Sequence, residues 1–331
     1  MKNVAVFGAG RIGRIHASNL AALPGVQLKY VCDAMPAAAA DLAQTLGAEV
    51  SSIEAVLADA SIHAVAICSP TTTHSDLIGR AAAAGKHIFC EKPVDLSVPR
   101  AEAVAKAVAD AGVGCMIGFQ RRFDPTFNEA RRRMDAGEIG NPEMLIITSR
   151  DPGAPPVEYI KQSGGIFRDM LIHDLDVFRW ILCADGDEAA WLSATGSVLT
   201  DPAVGAAGDY DSTAVTIRTR KGRLCQINTT RRAAYGYDQR FEVLGSAGLL
   251  QCGNHTPTEV KHWGANGIQA DKPEAFFLQR YAAAYRLEIE HFFSCLQSGQ
   301  PFKTTVQDGV LAQKLADAAT ESANSGQPIS F

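Results

Sequence analysis

Several groups of residues in this chain have types and spacings that can do chemistry. Gly8-Ala9-Gly10-Arg11-Ile12-Gly13 is a G-x-G-x-x-G that directly follows the apolar run Val4–Phe7. In that context Gly8 allows a tight turn, Gly10 a close approach of a pyrophosphate, and Gly13 close packing of the next helix on the strand. Arg11 and Ile12 open that helix, whose free N–H groups suit phosphate oxygens. Asp33 stands twenty residues after Gly13, at the end of a second apolar run. A carboxylate there accepts hydrogen bonds from both hydroxyls of an adenosine ribose and repels a 2′-phosphate. Ala34 and Met35 supply no cation for such a phosphate, so the pattern favours NAD over NADP. The alternative is that the glycines only shape a turn and Asp33 caps a helix starting near Pro36.

Glu91-Lys92-Pro93 closes a third apolar run, His87–Cys90. A lysine at the C-terminal edge of a parallel sheet faces the crevice where ligands bind, and the following proline keeps it out of helical geometry. Asp169 and His173 are four apart in a helix expected over Ile166–Leu182, which puts them on one face, and Asp176 continues that stripe. Histidine is the side chain suited to proton abstraction near neutrality. A structural ion pair is the alternative. No H-E-x-x-H is present, and no metal is expected. Ser69, Thr71 and His74 lie after the run His63–Cys68 and could meet the cofactor with Glu91 and Lys92; helix capping by Thr72 or Thr73 is the competing reading. Arg121-Arg122-Phe123-Asp124 and Arg150-Asp151 could hold hydroxyls of a polar substrate, or form surface ion pairs. Tyr235-Gly236-Tyr237-Asp238 reads as a link between strands.

The elements that must position these groups come in two rhythms. Up to Gly118 short apolar runs alternate with helical stretches of ten or so residues, which means βαβ units and a parallel sheet covered on both faces. Beyond it, strands expected at Glu143–Ser149, Trp191–Val198, Thr213–Thr219, Leu224–Thr230, Arg240–Leu244 and Leu249–Cys252 have short links and more alternation, as in an open antiparallel or mixed sheet. Asp151–Gly165, with three prolines and three glycines, reads as a loop. Two helices, near Leu278–Leu296 and Val306–Ala323, follow. The fold class is therefore α/β, with a doubly wound Rossmann domain over 1–120 and an α/β domain with an open, mostly antiparallel sheet over 121–331, the last helix returning to the first domain.

Composition narrows the function. The 31 basic and 36 acidic residues leave a formal charge of −5, which disfavours a general nucleic-acid binder. No apolar run approaches the ~18 residues that suggest a membrane span, and nothing resembles a signal peptide. The eight cysteines form no C-x-x-C pair, a usage expected of reduced thiols in the cytoplasm.

Together these residues resemble the oxidoreductase family that groups glucose–fructose oxidoreductase, inositol dehydrogenase and the rhizopine-catabolism enzymes. Glu91-Lys92-Pro93 and the ordered Gly164-Gly165…Asp169…His173-Asp174 carry the resemblance across the whole chain. Gly118–Asp124, Ser149–Pro152 and Tyr235–Asp238 bring it nearest to the bacterial inositol 2-dehydrogenase branch. The resemblance implies NAD-dependent oxidation of myo-inositol at C2. His173 would be the general base, Asp169 would orient it, and Lys92 would stabilise the reacting oxygen. Arg122, Asp151 and Tyr235 would contact substrate. It also implies a homotetramer built through the open sheet. A dehydrogenase for scyllo-inositol or an aldose, and a non-catalytic sensor of NAD and sugar, are the competing readings; the sensor is disfavoured because Lys92 and His173 are both present.

Overall fold

The computed structural model describes residues 1–331 and divides into two compact units. The first comprises Met1–Phe123 and Ala284–Lys314. Its six strands are β1 (Lys2–Phe7), β2 (Val26–Cys32), β3 (Glu49–Val50), β4 (Ile62–Ile67), β5 (His87–Glu91) and β6 (Cys115–Gly118). All pair in parallel, in the order β3-β2-β1-β4-β5-β6. Helices α1 (Arg11–Ala22), α2 (Pro36–Leu46), α3 (Ile53–Ala58), α4 (His74–Ala83) and α5 (Val98–Ala111) make the crossovers. Val4–Phe7 and Ala64–Ile67 are buried without interruption because helices cover both faces of the sheet, which is why these runs do not alternate in sequence. Strand order reverses between β1 and β4, so the turns after these two strands flank the switch point where such sheets bind ligands.

The second unit comprises Asp124–Ala283 and Leu315–Phe331. It contains α6 (Pro125–Asp135), β7 (Pro142–Arg150), α7 (Val157–Ser163), α8 (Ile166–Asp169), α9 (Ile172–Leu182), β8 (Ala189–Ser197), α10 (Pro202–Ala206), β9 (Ser212–Thr219), β10 (Leu224–Thr230), β11 (Asp238–Gly245), β12 (Gly248–Cys252), the hairpin β13 (Lys261–Gly264) and β14 (Gly267–Ala270), and α11 (Phe277–Arg280). Helix α12 (Ala282–Ser298) and the start of α13 (Val306–Ser325) belong mostly to the first unit, and the end of α13 and β15 (Ile329–Ser330) to the second. The seven-stranded sheet runs β12-β11-β7-β10-β9-β8-β15; only β7 and β10 pair in parallel. One face packs Leu145, Ile147, Ile227, Phe241 and Val243 against Leu175, Phe178 and Leu182 of α9. The other face is open, and its register lines up the exposed side chains of Leu249, Leu244, Met144 and Leu224 across four strands.

Three expected elements differ. The helix over Ile166–Leu182 is interrupted at Met170-Leu171, because the Ile166 carbonyl accepts from both the Met170 and the Leu171 amides, each at 3.0 Å, and the ladder slips by a residue. Both interrupting residues keep right-handed helical dihedrals, so Asp169 and His173 remain about one turn apart. The helix near Leu278–Leu296 is divided at Tyr281, whose ring is fully buried. The expected loop 151–165 contains α7. The short α3 and α10 and the β13–β14 hairpin carry too few periodic residues to have been read.

Asp124, considered for substrate hydroxyls, is instead structural. Its Oδ1 accepts from the amides of Thr126 and Phe127 at the start of α6, at 3.1 and 3.0 Å, and its carboxylate pairs with Arg280 inside the unit. Both side chains are essentially unexposed. Asp124→Ala leaves a buried guanidinium unpaired and is expected to destabilise the protein by ~3–5 kcal/mol. Glu129→Ala, which breaks only the exposed pair with Arg132, is expected to cost less than ~1 kcal/mol. Denaturant melts of both variants check the contrast; equal midpoints would contradict it.

Candidate active site

The turn between β1 and α1 forms by absence of side chains. Gly8 has φ +107°, and a Cβ on it would sit 2.5 Å from the Cys68 carbonyl oxygen at the end of β4. A Cβ on Gly13 would lie 1.9 Å from the Gly8 carbonyl oxygen, so α1 can press onto the turn only with glycine there. At Gly10 the same construction meets no atom within 4 Å. This is an open cradle at a helix N-terminus, with Arg11 exposed and Ile12 half-buried beside it. Asp33 is held at the cradle's edge: its Oδ2 accepts from the Ala9 amide at 2.6 Å and its Oδ1 from the Met35 amide at 2.7 Å. It makes no side-chain cap on α2, whose N-cap is Met35. Cradle, helix terminus and carboxylate fit the pyrophosphate and ribose of NAD.

The segment after β4 is tied together locally. Ser69 Oγ and Thr73 Oγ1 are 2.6 Å apart, and Thr73 Oγ1 donates to the Pro70 carbonyl, so no threonine side chain caps α4. Thr71 is half-buried in the intervening turn. His74, expected to meet the cofactor, is a buried staple. Its Nδ1 lies 2.7 Å from the Pro93 carbonyl and its Nε2 2.8 Å from the Ser69 carbonyl, so both ring nitrogens are engaged. Burial holds its pKa below the usual value despite the two carbonyls, which act in the opposite direction. Glu91 also turns inward, its carboxylate 2.7 Å from Nε2 of buried His16. Lys92 follows, half-buried, joined to Pro93 by a cis peptide bond. The Arg122 guanidinium donates to the Lys303 carbonyl at 2.9 Å and to Asp308 at 3.1 Å, an anchor for the returning segment of the first unit.

In the second unit, Asp169 ends α8 and His173 is the second residue of α9. The approach to Asp169 is set by Gly164 and Gly165, at φ +84° and +85°. A Cβ on Gly165 would be 3.0 Å from Asp209 Oδ1, the same oxygen that accepts from the Ile166 amide at 2.9 Å. The Asp169 carboxylate accepts from the Tyr159 hydroxyl at 2.9 Å and lies 3.8 Å from the buried Arg231 guanidinium, which also faces Asp209 at 3.4 Å. A positive charge and a hydroxyl donor thus face the Asp169 carboxylate beside the start of α9. Tyr159, Asp209 and Arg231 escaped the sequence reading: Tyr159 fell in the expected loop, and nothing around Arg231 marks it as a buried arginine.

Asp151 continues β7, its amide donating to the Thr230 carbonyl at 2.9 Å, and strand alternation puts it on the face of Leu145, Ile147 and Ser149 that carries the helices. The Tyr235 hydroxyl donates to Asp238 at 2.6 Å and accepts from Arg150 at 3.0 Å, on the open face of the sheet. Burial and the bond to Asp238 hold the phenol pKa above its usual value. Burial pushes the Asp238 carboxyl up, but bonds from Tyr235, Asn254 and Arg240 outweigh it and hold the carboxyl below the usual range.

A doubly wound parallel sheet with this cradle and a carboxylate at its edge defines a dinucleotide-binding domain. Comparison with known proteins agrees. Residues 2–119 match the oxidoreductase family's NAD-binding Rossmann fold, and residues 131–331 its C-terminal alpha/beta domain. The chain belongs to this family, the one that contains glucose–fructose oxidoreductase and inositol dehydrogenase. It is 48% identical to the inositol 2-dehydrogenase of Rhizobium meliloti (strain 1021), over 98% of each chain. It is 40% identical to the scyllo-inositol 2-dehydrogenase (NAD(+)) of Bacillus subtilis (strain 168), over 98% of this chain and 95% of that one. A crystal structure of a myo-inositol dehydrogenase from Corynebacterium glutamicum ATCC 13032 superposes with a TM-score of 0.95 at 42% identity, covering 100% of this chain and 99% of that one.

Asp33→Ala removes a charged acceptor, worth ~1.5–3 kcal/mol per bond. It is expected to weaken NAD binding by roughly tenfold or more and to narrow the preference over NADP. Titration of the two cofactors by calorimetry checks this, and tighter wild-type binding of NADP than of NAD would contradict the role given to Asp33.

Proposed function

We propose that this protein oxidises myo-inositol at C2 to the 2-keto inositol with NAD, using His173 as general base, Asp169 to orient it and Lys92 at the reacting oxygen. Asp169 supports this most: it is ordered by Tyr159 and Arg231 within a turn of His173, the arrangement a base and its orienting carboxylate need. The His173 imidazole takes the hydroxyl proton, and the Asp169 charge stabilises the imidazolium that forms. The Lys92 ammonium donates to the same oxygen and favours the negative charge that develops on it. NAD, when bound, supplies the acceptor for the hydride from that carbon. Asp151 pairs with a further hydroxyl of the ring. The inositol assignment draws on the 48% and 40% identical relatives, both named for inositol dehydrogenation.

The choice of isomer follows from stereochemistry. The C2 hydroxyl of myo-inositol is axial and its hydrogen equatorial, whereas every hydroxyl of scyllo-inositol is equatorial. A site that pairs hydroxyls penalises an isomer that leaves its polar groups unmatched. The proposal includes a cytoplasmic homotetramer, with the row Leu249, Leu244, Met144 and Leu224 on the open sheet as contact face. No helix is long and apolar enough to cross a membrane.

Assays with myo-inositol, scyllo-inositol and glucose, following the reduced cofactor, are expected to give the highest kcat/KM for myo-inositol. A clear preference for scyllo-inositol would move the protein to the activity named for the Bacillus relative, and no turnover with any polyol would overturn the proposal. His173→Ala is expected to lower kcat by ~10²–10⁴ while NAD affinity stays near wild type. Near-normal turnover would return Asp169 and His173 to a structural ion pair.

A further inference from the structure

Below the cofactor cradle, three ionisable side chains from three elements of the first unit meet where no solvent reaches. His16 of α1 and Glu288 of α12 are fully buried, and Glu91 at the end of β5 nearly so. His16 Nε2 lies 2.7 Å from Glu91 Oε1 and 3.9 Å from Glu288 Oε1. Phe89 and Tyr285 wall the imidazole, with ring centroids 4.7 and 5.6 Å away. His16 Nδ1 and both Glu288 oxygens have no hydrogen-bond partner. Burying such groups is costly, and a merely apolar filling would hold the helix more cheaply. Their place along the chain gives them a use. Glu91 immediately precedes Lys92, and the next residue, Pro93, is gripped through its carbonyl by His74. Gly118 of β6 has no side chain where a Cβ would stand 3.2 Å from the Glu91 carboxyl carbon, so the neighbouring strand leaves room for it.

We propose that His16 and Glu288 are positioning residues for Lys92: acting through Glu91, they fix the end of β5 from which that lysine projects. The inference rests on Lys92 acting at the reacting oxygen. Burial and the Glu91 charge push the Glu288 carboxyl well up beside the His16–Glu91 pair. Because His16 belongs to the helix whose N-terminus forms the cradle, the same bond ties the cradle to the lysine. Loss of it displaces Lys92 without removing any group that touches cofactor or substrate.

A double-mutant cycle tests this. His16→Leu is expected to lower kcat by ~10–100-fold, the size of effect a displacement of about 1 Å can have, with the Kd for NAD changed less than about twofold. In the Lys92→Ala background, measured by single turnover at high enzyme concentration, the same substitution is expected to change the rate by less than about twofold, because the group it positions is gone. Should His16→Leu fail to fold, Glu91→Gln keeps the size, removes the charge and runs the same cycle with the same expectation. Glu288→Leu is expected to lower kcat and Glu288→Gln, neutral and of equal shape, to recover it. Equal effects in both backgrounds, a loss of NAD affinity matching the loss of kcat, or wild-type kcat in His16→Leu would overturn the inference. So would stoichiometric metal in the purified protein whose removal abolishes activity, since the three ligand atoms lie within 4.8 Å of one another. Wild-type turnover in Lys92→Ala alone would overturn the role of Lys92 itself, an outcome distinct from the others.

Discussion

The packing of α1 on the Gly8 turn is the contact on which the first unit depends. With any Cβ at Gly13, 1.9 Å from the Gly8 carbonyl, the helix would have to lift off the sheet. Its N-terminus would leave the cradle, the Ala9 amide would leave the Asp33 carboxylate, and His16 would withdraw from Glu91. One steric allowance therefore sets three things: where phosphate can approach, where ribose hydroxyls meet a carboxylate, and from which point Lys92 projects. The polar atoms involved are held by other protein atoms, which gives them fixed positions before any ligand arrives.

The second unit solves a similar problem with charge. Asp169 sits at a helix end that forms only because Gly164 and Gly165 take left-handed dihedrals and Gly165 lets Asp209 close on the Ile166 amide. Arg231, buried between Asp209 and Asp169, balances two carboxylates that would otherwise repel. The glycines and the buried arginine are far apart in sequence, yet both serve the orientation of one carboxylate. That explains why the ordered Gly-Gly…Asp…His pattern carries information that no single member does.

Much of the fold was legible because its signals are local. Continuous apolar strands, ten-residue helices and the glycine fingerprint each depend on neighbours in sequence. The cradle residues were legible for the same reason, and the order of Lys92, Asp169 and His173 along the chain was legible as a family pattern. What could not be read depends on contacts between distant residues. His74 looks like any polar residue after a strand until both its nitrogens are seen on carbonyls. Arg122 and Tyr235 carry the right chemistry for sugar hydroxyls, and the protein partners that hold them, Asp308 and Arg150, come from other elements. The slip in the helical ladder at Met170-Leu171 leaves no mark in an apolar run.

The central claim is that an imidazole at position 173 removes the substrate proton, and restoring that base from solution tests it most directly. With the His173→Ala protein, saturating NAD and myo-inositol, the rate of cofactor reduction is measured as imidazole is added. The account predicts that turnover rises with imidazole concentration and saturates, while the wild-type rate does not respond. A variant that stays inactive at every imidazole concentration although it binds NAD and inositol normally, or one that needs no imidazole to turn over, would contradict it.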